Sequence, residues 1–101
     1  MNNQSIMIFG RLGHHPDLKY TRDQIPVCWL SLAEVSKETG KPNWHKVVVW
    51  GKQAERCKAI LSKGSEVFVR GRKNLREFKK ENGEQKKYEE ITAEKIGFIE
   101  V

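Results

Sequence analysis

Between Trp44 and Trp50 the chain reads Trp-His-Lys-Val-Val-Val-Trp. Consecutive β-branched residues framed by two indole rings fit a pleated, half-buried surface far better than a helix, so this run is expected to be a strand, the third in chain order. Side chains alternate across a strand, which puts Trp44, Lys46, Val48 and Trp50 on one face and His45, Val47 and Val49 on the other. A face holding two large rings around a lysine belongs to solvent or a ligand, and a face of valines to a core. The polar stretch from Ser36 to Asn43, with Gly40 and Pro42, reads as the loop leading into it.

The rest of the chain falls into segments of similar length. Ser5 to Gly13 is an apolar run of strand length closed by glycines, with a turn at His14-His15-Pro16-Asp17. Val27 to Val35 is a second strand, with Cys28, Leu30 and Leu32 on one side and Trp29 and Ser31 on the other. From Gln53 to Gly64 the period changes: Ala54, Cys57 and Leu61 fall at helical spacing and Gly64 serves as a stop signal. Glu66 to Phe78 starts as a strand with Val67 and Val69 inward. Glu81-Asn82-Gly83-Glu84 carries an Asn-Gly hairpin signal, and the return arm runs from Lys86 to about Ile99 with Ile91 and Ala93 on a common face. Three strands, a helix and two strands make an all-β fold with one short helix: a five-stranded Greek-key barrel of the OB type, its helix between strands three and four.

A length of 101 residues suits one domain, residues 1–101, with one modest core. No apolar run approaches the roughly 20 residues of a membrane span, and Met1-Asn2-Asn3-Gln4-Ser5 lacks the features of a secretory signal, so the expected location is the cytoplasm. Cys28 and Cys57 sit within apolar patterns and are expected to be buried free thiols. The net charge of +6, from 19 Lys and Arg against 13 Asp and Glu, favours a polyanionic partner.

The distribution of that charge is more informative than its sum. A protein that holds single-stranded nucleic acid without reading its sequence needs cations for phosphates and flat rings for bases. Trp44, Lys46 and Trp50 provide both on one strand face. From Arg70 to Lys87 there are eight cations (Arg70, Arg72, Lys73, Arg76, Lys79, Lys80, Lys86, Lys87) against three glutamates, with Phe78 among them, the composition of an electrostatic arm.

Four segments together resemble the bacterial single-stranded-DNA-binding protein family: Ile6 to Asp17, Val27 to Ala33, Trp44 to Glu55 and Leu61 to Gly71. The resemblance implies an OB fold, usually assembled into homotetramers, around which single-stranded DNA wraps in replication, recombination and repair. It implies stacking positions for Trp44, Trp50 and Phe78, and basic positions for Lys46, Lys52, Lys63 and Arg76; Arg72, Lys73, Lys79 and Lys80 join the phosphate set from the arm. Trp29, outward on the second strand, is the candidate replacement for an aromatic residue that the family often carries near the start of the loop, here the short segment Ser36 to Asn43. Family members typically continue into a tail with an acidic-hydrophobic tip that recruits partner enzymes, whereas this chain stops at Glu100-Val101, so recruitment by that route is left open.

Other readings stand beside these. His14 and His15 are adjacent and are read as turn residues, with no ligand set for a metal around them. His45 is expected to be a hydrogen-bonded structural histidine. No catalytic triad, carboxylate pair, phosphate-cradling glycine loop or cofactor motif is visible, so neither an enzyme nor a cofactor is expected. The alternatives to a tetrameric DNA-binding protein are a dimeric replication-restart accessory of the same ancestry, bridging DNA and a helicase, and an OB module that binds protein only.

Overall fold

The computed structural model describes residues 5–98. Six strands and one helix follow in the order β1 (Ser5–Leu12), β2 (Asp17–Tyr20), β3 (Pro26–Val35), β4 (Pro42–Trp50), α1 (Lys52–Ile60), β5 (Glu66–Lys79) and β6 (Gln85–Phe98). The strands form a sheet in the order β1-β5-β6-β4-β3-β2, and β1 turns from β5 to β3 at Arg11 and Leu12. That second pairing closes five of the strands into a ring, the OB-type barrel expected from the sequence. Ring closure removes most exposed sheet edges; β6 completes it by lying parallel to β4 at Val47↔Ile91 and Val48↔Thr92.

One strand was not foreseen. Asp17 to Tyr20 pairs antiparallel with β3, Leu18 opposite Cys28, so the helix lies between the fourth and fifth strands in chain order rather than between the third and fourth. Four residues of mixed polarity offer too little alternation to stand out from the adjacent turn; β3 supplies the ladder that makes them a strand.

The inward residues of the barrel are those given by alternation. Ile8, Leu12, Cys28, Leu30, Leu32, Val47, Val49, Val67, Val69, Ile91 and Ala93 form one buried cluster with Ala54, Cys57 and Leu61 from the helix side. The helix ends three residues sooner than a Gly64 stop implies. Leu61 is extended, its N–H bonded to the Cys57 carbonyl, and its side chain still enters the core, while Gly64 serves a later turn at φ +90°. Burial pushes the Cys57 thiol up to about 12 and raises that of Cys28, which leaves both as unreactive packing groups. No described helix is long and apolar enough to cross a membrane. Ile99, expected at the end of the last strand, lies outside the described residues.

Two glycines mark the tightest points of the ring. A Cβ on Gly10 would come 2.3 Å from the Ala33 carbonyl oxygen, and one on Gly71 2.3 Å from that of Thr92. Gly71 adjoins the register shift between Arg70 and Gly71, an irregularity of the kind that bends a strand sharply.

Candidate nucleic-acid interface

Strand registers define a continuous outer face across four strands. On β4 it carries Trp44, Lys46, Val48 and Trp50; opposite them on β3 lie Ala33, Ser31, Trp29 and Val27. Val48 pairs with Thr92 on β6, whose same-face residues Glu90, Tyr88 and Lys86 stand opposite Asn74, Arg76 and Phe78 on β5. The sequence reading had put Trp29, Trp44, Lys46 and Trp50 outward, and the registers agree. They add that the β5–β6 ribbon continues the same surface.

Part of this face is concave. A groove of about 720 Å³ is lined by Trp29, Ser31, Trp44, Lys46, Phe78 and Tyr88, among others. Trp44 and Phe78 are 55% and 47% exposed, well above what two large apolar rings show when they are core residues. The Trp44 ring packs against Gly13, where an added Cβ would come 2.5 Å from it, so the absence of a side chain in the β1–β2 turn leaves room for the indole. Phe78 meets Tyr88 edge-on at 5.8 Å, and the Lys46 ammonium sits 4.7 Å from the centre of the Tyr88 ring, a cation–π contact. Sequence reasoning missed Tyr88. It stands in a run of charged residues, and only the hairpin register, which sets it opposite Arg76, brings it to Phe78; the available signal was its position across the Asn-Gly turn.

Trp50 is 45% exposed but does not line the groove. It lies six positions from Trp44, about 20 Å along the strand, with Val48 between them. Val48 shares their face yet is buried at 2% exposure and stands outside the main core cluster, between Trp29 and Thr92 in the two ladders. The outer face therefore offers two separate aromatic stations. His45 is half-buried at the barrel rim, with Nε2 3.1 Å from a Glu34 carboxylate oxygen, in keeping with a structural role.

The cations of the arm are less available than their number suggests. Lys73 is 3.4 Å from Glu89, Lys87 3.5 Å from Glu77, Arg72 2.9 Å from Glu94 and Arg76 3.1 Å from Glu90. Each pair joins β5 to β6, three with the glutamate on β6 and one with it on β5, so the ribbon is partly self-neutralised. Lys52, Lys63 and Lys79 are exposed and Lys80 half-buried; Lys52 opens the helix beside Trp50, and Lys63 lies in the turn where its backbone N–H donates to His15 Nδ1 at 3.3 Å. Neither lines the groove itself. Among the described residues no group of three or more His, Cys, Asp or Glu could hold a metal ion.

The sequence model of the single-strand binding protein family matches residues 3–99. Single-stranded DNA-binding protein 1 of Xylella fastidiosa strain 9a5c is 32% identical over 102 residues, covering 93% of this chain and 75% of that protein. The single-stranded DNA-binding protein of Xylella fastidiosa strain Temecula1 is 30% identical over 101 residues, covering 93% of this chain and 62% of its own length.

Proposed function

This chain belongs to the single-strand binding protein family, and we propose from that premise that it binds and shields single-stranded DNA, without sequence preference and without catalysis, where strands are exposed in replication, recombination and repair. The observation that carries the reading is the groove: aromatic rings of Trp29, Trp44, Phe78 and Tyr88, from four strands, around the Lys46 ammonium. Bases stack on such rings whatever their identity, because every base has a π-face. Lys46, Arg72, Lys73, Arg76, Lys79 and Lys80 meet the phosphates at the groove, Lys52 those that continue past Trp50, and Lys63 those that pass the turn at His15. Action on nucleoid DNA in the cytoplasm is part of the same proposal. Nothing in the fold or the relatives favours a restart accessory or a protein-only module.

Titration with poly-dT tests this. Tryptophan fluorescence is expected to be strongly quenched at low salt, and affinity to fall as salt rises, with a log–log slope of about −0.7 per phosphate contacted. Since Arg72 and Lys73 already hold carboxylates, the slope should correspond to fewer contacts than the proposed cations number. No quenching at low salt would remove DNA as the ligand.

Self-association is the second part of the proposal, as a homotetramer or a dimer. Between Ser5 and Gly10, β1 pairs with β5 alone among the described residues, which leaves its other ladder edge open there, and Met7 and Phe9 beside it are exposed, Phe9 stacked on Phe68 at 6.4 Å. An open edge flanked by apolar side chains favours pairing with another strand. Mass measured in solution should be a multiple of 11.7 kDa, four- or twofold, and Met7→Lys should lower it. A monomer at micromolar concentration would rule the assembly out.

A further inference from the structure

Glu90 is an anomaly on a surface read as binding a polyanion. It lies on the outer face, opposite Asn74 on β5, and it is buried at 6% exposure, the one buried charged residue among those described. A buried carboxylate is costly unless it is paired, and its partner is specific. Arg76 donates through Nε to Glu90 Oε1 at 3.1 Å, while the arginine itself is half exposed. The bond uses Nε, which leaves the two terminal nitrogens for a second acceptor. Arg76 shares its strand face with Phe78 and stands opposite Tyr88, beside the groove where a base would stack.

We propose that Glu90 is a positioning residue for single-stranded DNA: it holds the Arg76 guanidinium by one edge so that the other edge is set for the phosphate of a base stacked on Phe78 and Tyr88. The inference rests on the DNA-binding reading above. Arginine offers its donors as a planar fork suited to phosphate, and a fork already fixed on the protein side loses less freedom when the phosphate arrives. Lys73 and Glu89 give the contrast. Glu89 is 61% exposed, can swing away from its lysine, and acts on phosphate only by repulsion.

The two roles predict opposite signs when a negative charge is removed. Glu90→Leu keeps comparable bulk but no acceptor, and should weaken poly-dT binding at low salt by about three- to tenfold, the worth of one hydrogen bond, with a salt slope smaller in magnitude by about 0.7. Glu90→Gln, which retains an acceptor oxygen, should fall between Leu and the wild-type chain. Glu89→Gln should bind more tightly than wild type. In an Arg76→Gln background Glu90→Gln should cause no further loss, which separates positioning of Arg76 from general damage to the fold; unfolding midpoints of each variant monitor the latter. If Glu90→Gln and Glu90→Leu tighten binding as Glu89→Gln does, or lose equal affinity with and without Arg76, the positioning role is overturned. A wild-type chain that fails to bind poly-dT overturns the DNA reading itself, a distinct result.

Discussion

Trp44→Ala is expected to weaken binding of a short oligo-dT by between about fivefold and about a hundredfold, the equivalent of about 1–3 kcal/mol for one lost base–aromatic stack. The indole packs against Gly13 at one wall of the groove, with Phe78 and Tyr88 among the other lining residues, so its removal opens the groove without disturbing the buried cluster, to which Trp44 does not belong. Stability should change little. Trp50→Ala should behave differently. Its ring is outside the groove and about 20 Å from Trp44 along β4, so an oligonucleotide only long enough to fill the groove should be insensitive to it, whereas poly-dT should lose affinity in both variants. Trp29→Ala should fall nearer Trp44→Ala on short strands, because Trp29 lines the same groove, but with a smaller loss, since it is half-buried and offers less ring. Affinities measured against oligonucleotide length check all three. Equal losses from Trp44→Ala and Trp50→Ala at every length would mean that the two stations are not separate, and no loss from either would remove stacking as the source of affinity.

Gly10→Ala carries a large expected cost in stability. The new methyl would meet the Ala33 carbonyl oxygen at 2.3 Å and its carbon at 2.9 Å. Both are backbone atoms in the strand that closes the ring, adjacent to the Arg11↔Ala33 and Leu12↔Leu32 pairs. A flexible side chain could turn aside, but here the ladder itself has to part. A loss of about 3 kcal/mol is expected, the upper part of the usual range for overpacking, which in a domain of this size lowers the melting temperature by roughly 12 °C or more. Gly40→Ala is the appropriate comparison. Gly40 has φ +72° and open space around it, so a side chain there meets only the left-handed backbone penalty of about 1–2 kcal/mol. Thermal unfolding of the two variants separates the causes. If Gly10→Ala is no worse than Gly40→Ala, β1 and β3 close less tightly than their spacing indicates.

The division between sequence and structure follows the range of the forces involved. Alternation of side chains is a local property of an extended backbone, so the inward set of Leu30, Leu32, Val47, Val49, Val67 and Val69, and the outward set of Trp29, Trp44, Lys46 and Trp50, could be written from neighbouring residues alone. The Asn82-Gly83 turn could too, because a tight hairpin requires residues that tolerate positive φ, and Gly83 adopts +89°. The β2 strand could not, since β3 is what gives it a ladder. Nor could Val48, which alternation places outside and which its neighbours across two ladders nevertheless bury.

The ligand surface divides in the same way. Its ingredients, rings and cations, were legible as composition; their grouping was not, because Tyr88, Phe78 and Lys46 are brought together only by a hairpin register and a parallel pairing between residues more than forty positions apart. Charge shows the same limit. Counting lysines and arginines in the arm yields a strongly basic ribbon, whereas folding pairs several of them with glutamates of the neighbouring strand and cancels part of it. The sequence by itself determined which residues face out and that rings and positive charge are among them. The tertiary structure decided which of them act together, that Trp50 stands apart, and that a buried glutamate supports Arg76, because each of these depends on distances between strands that no local pattern encodes.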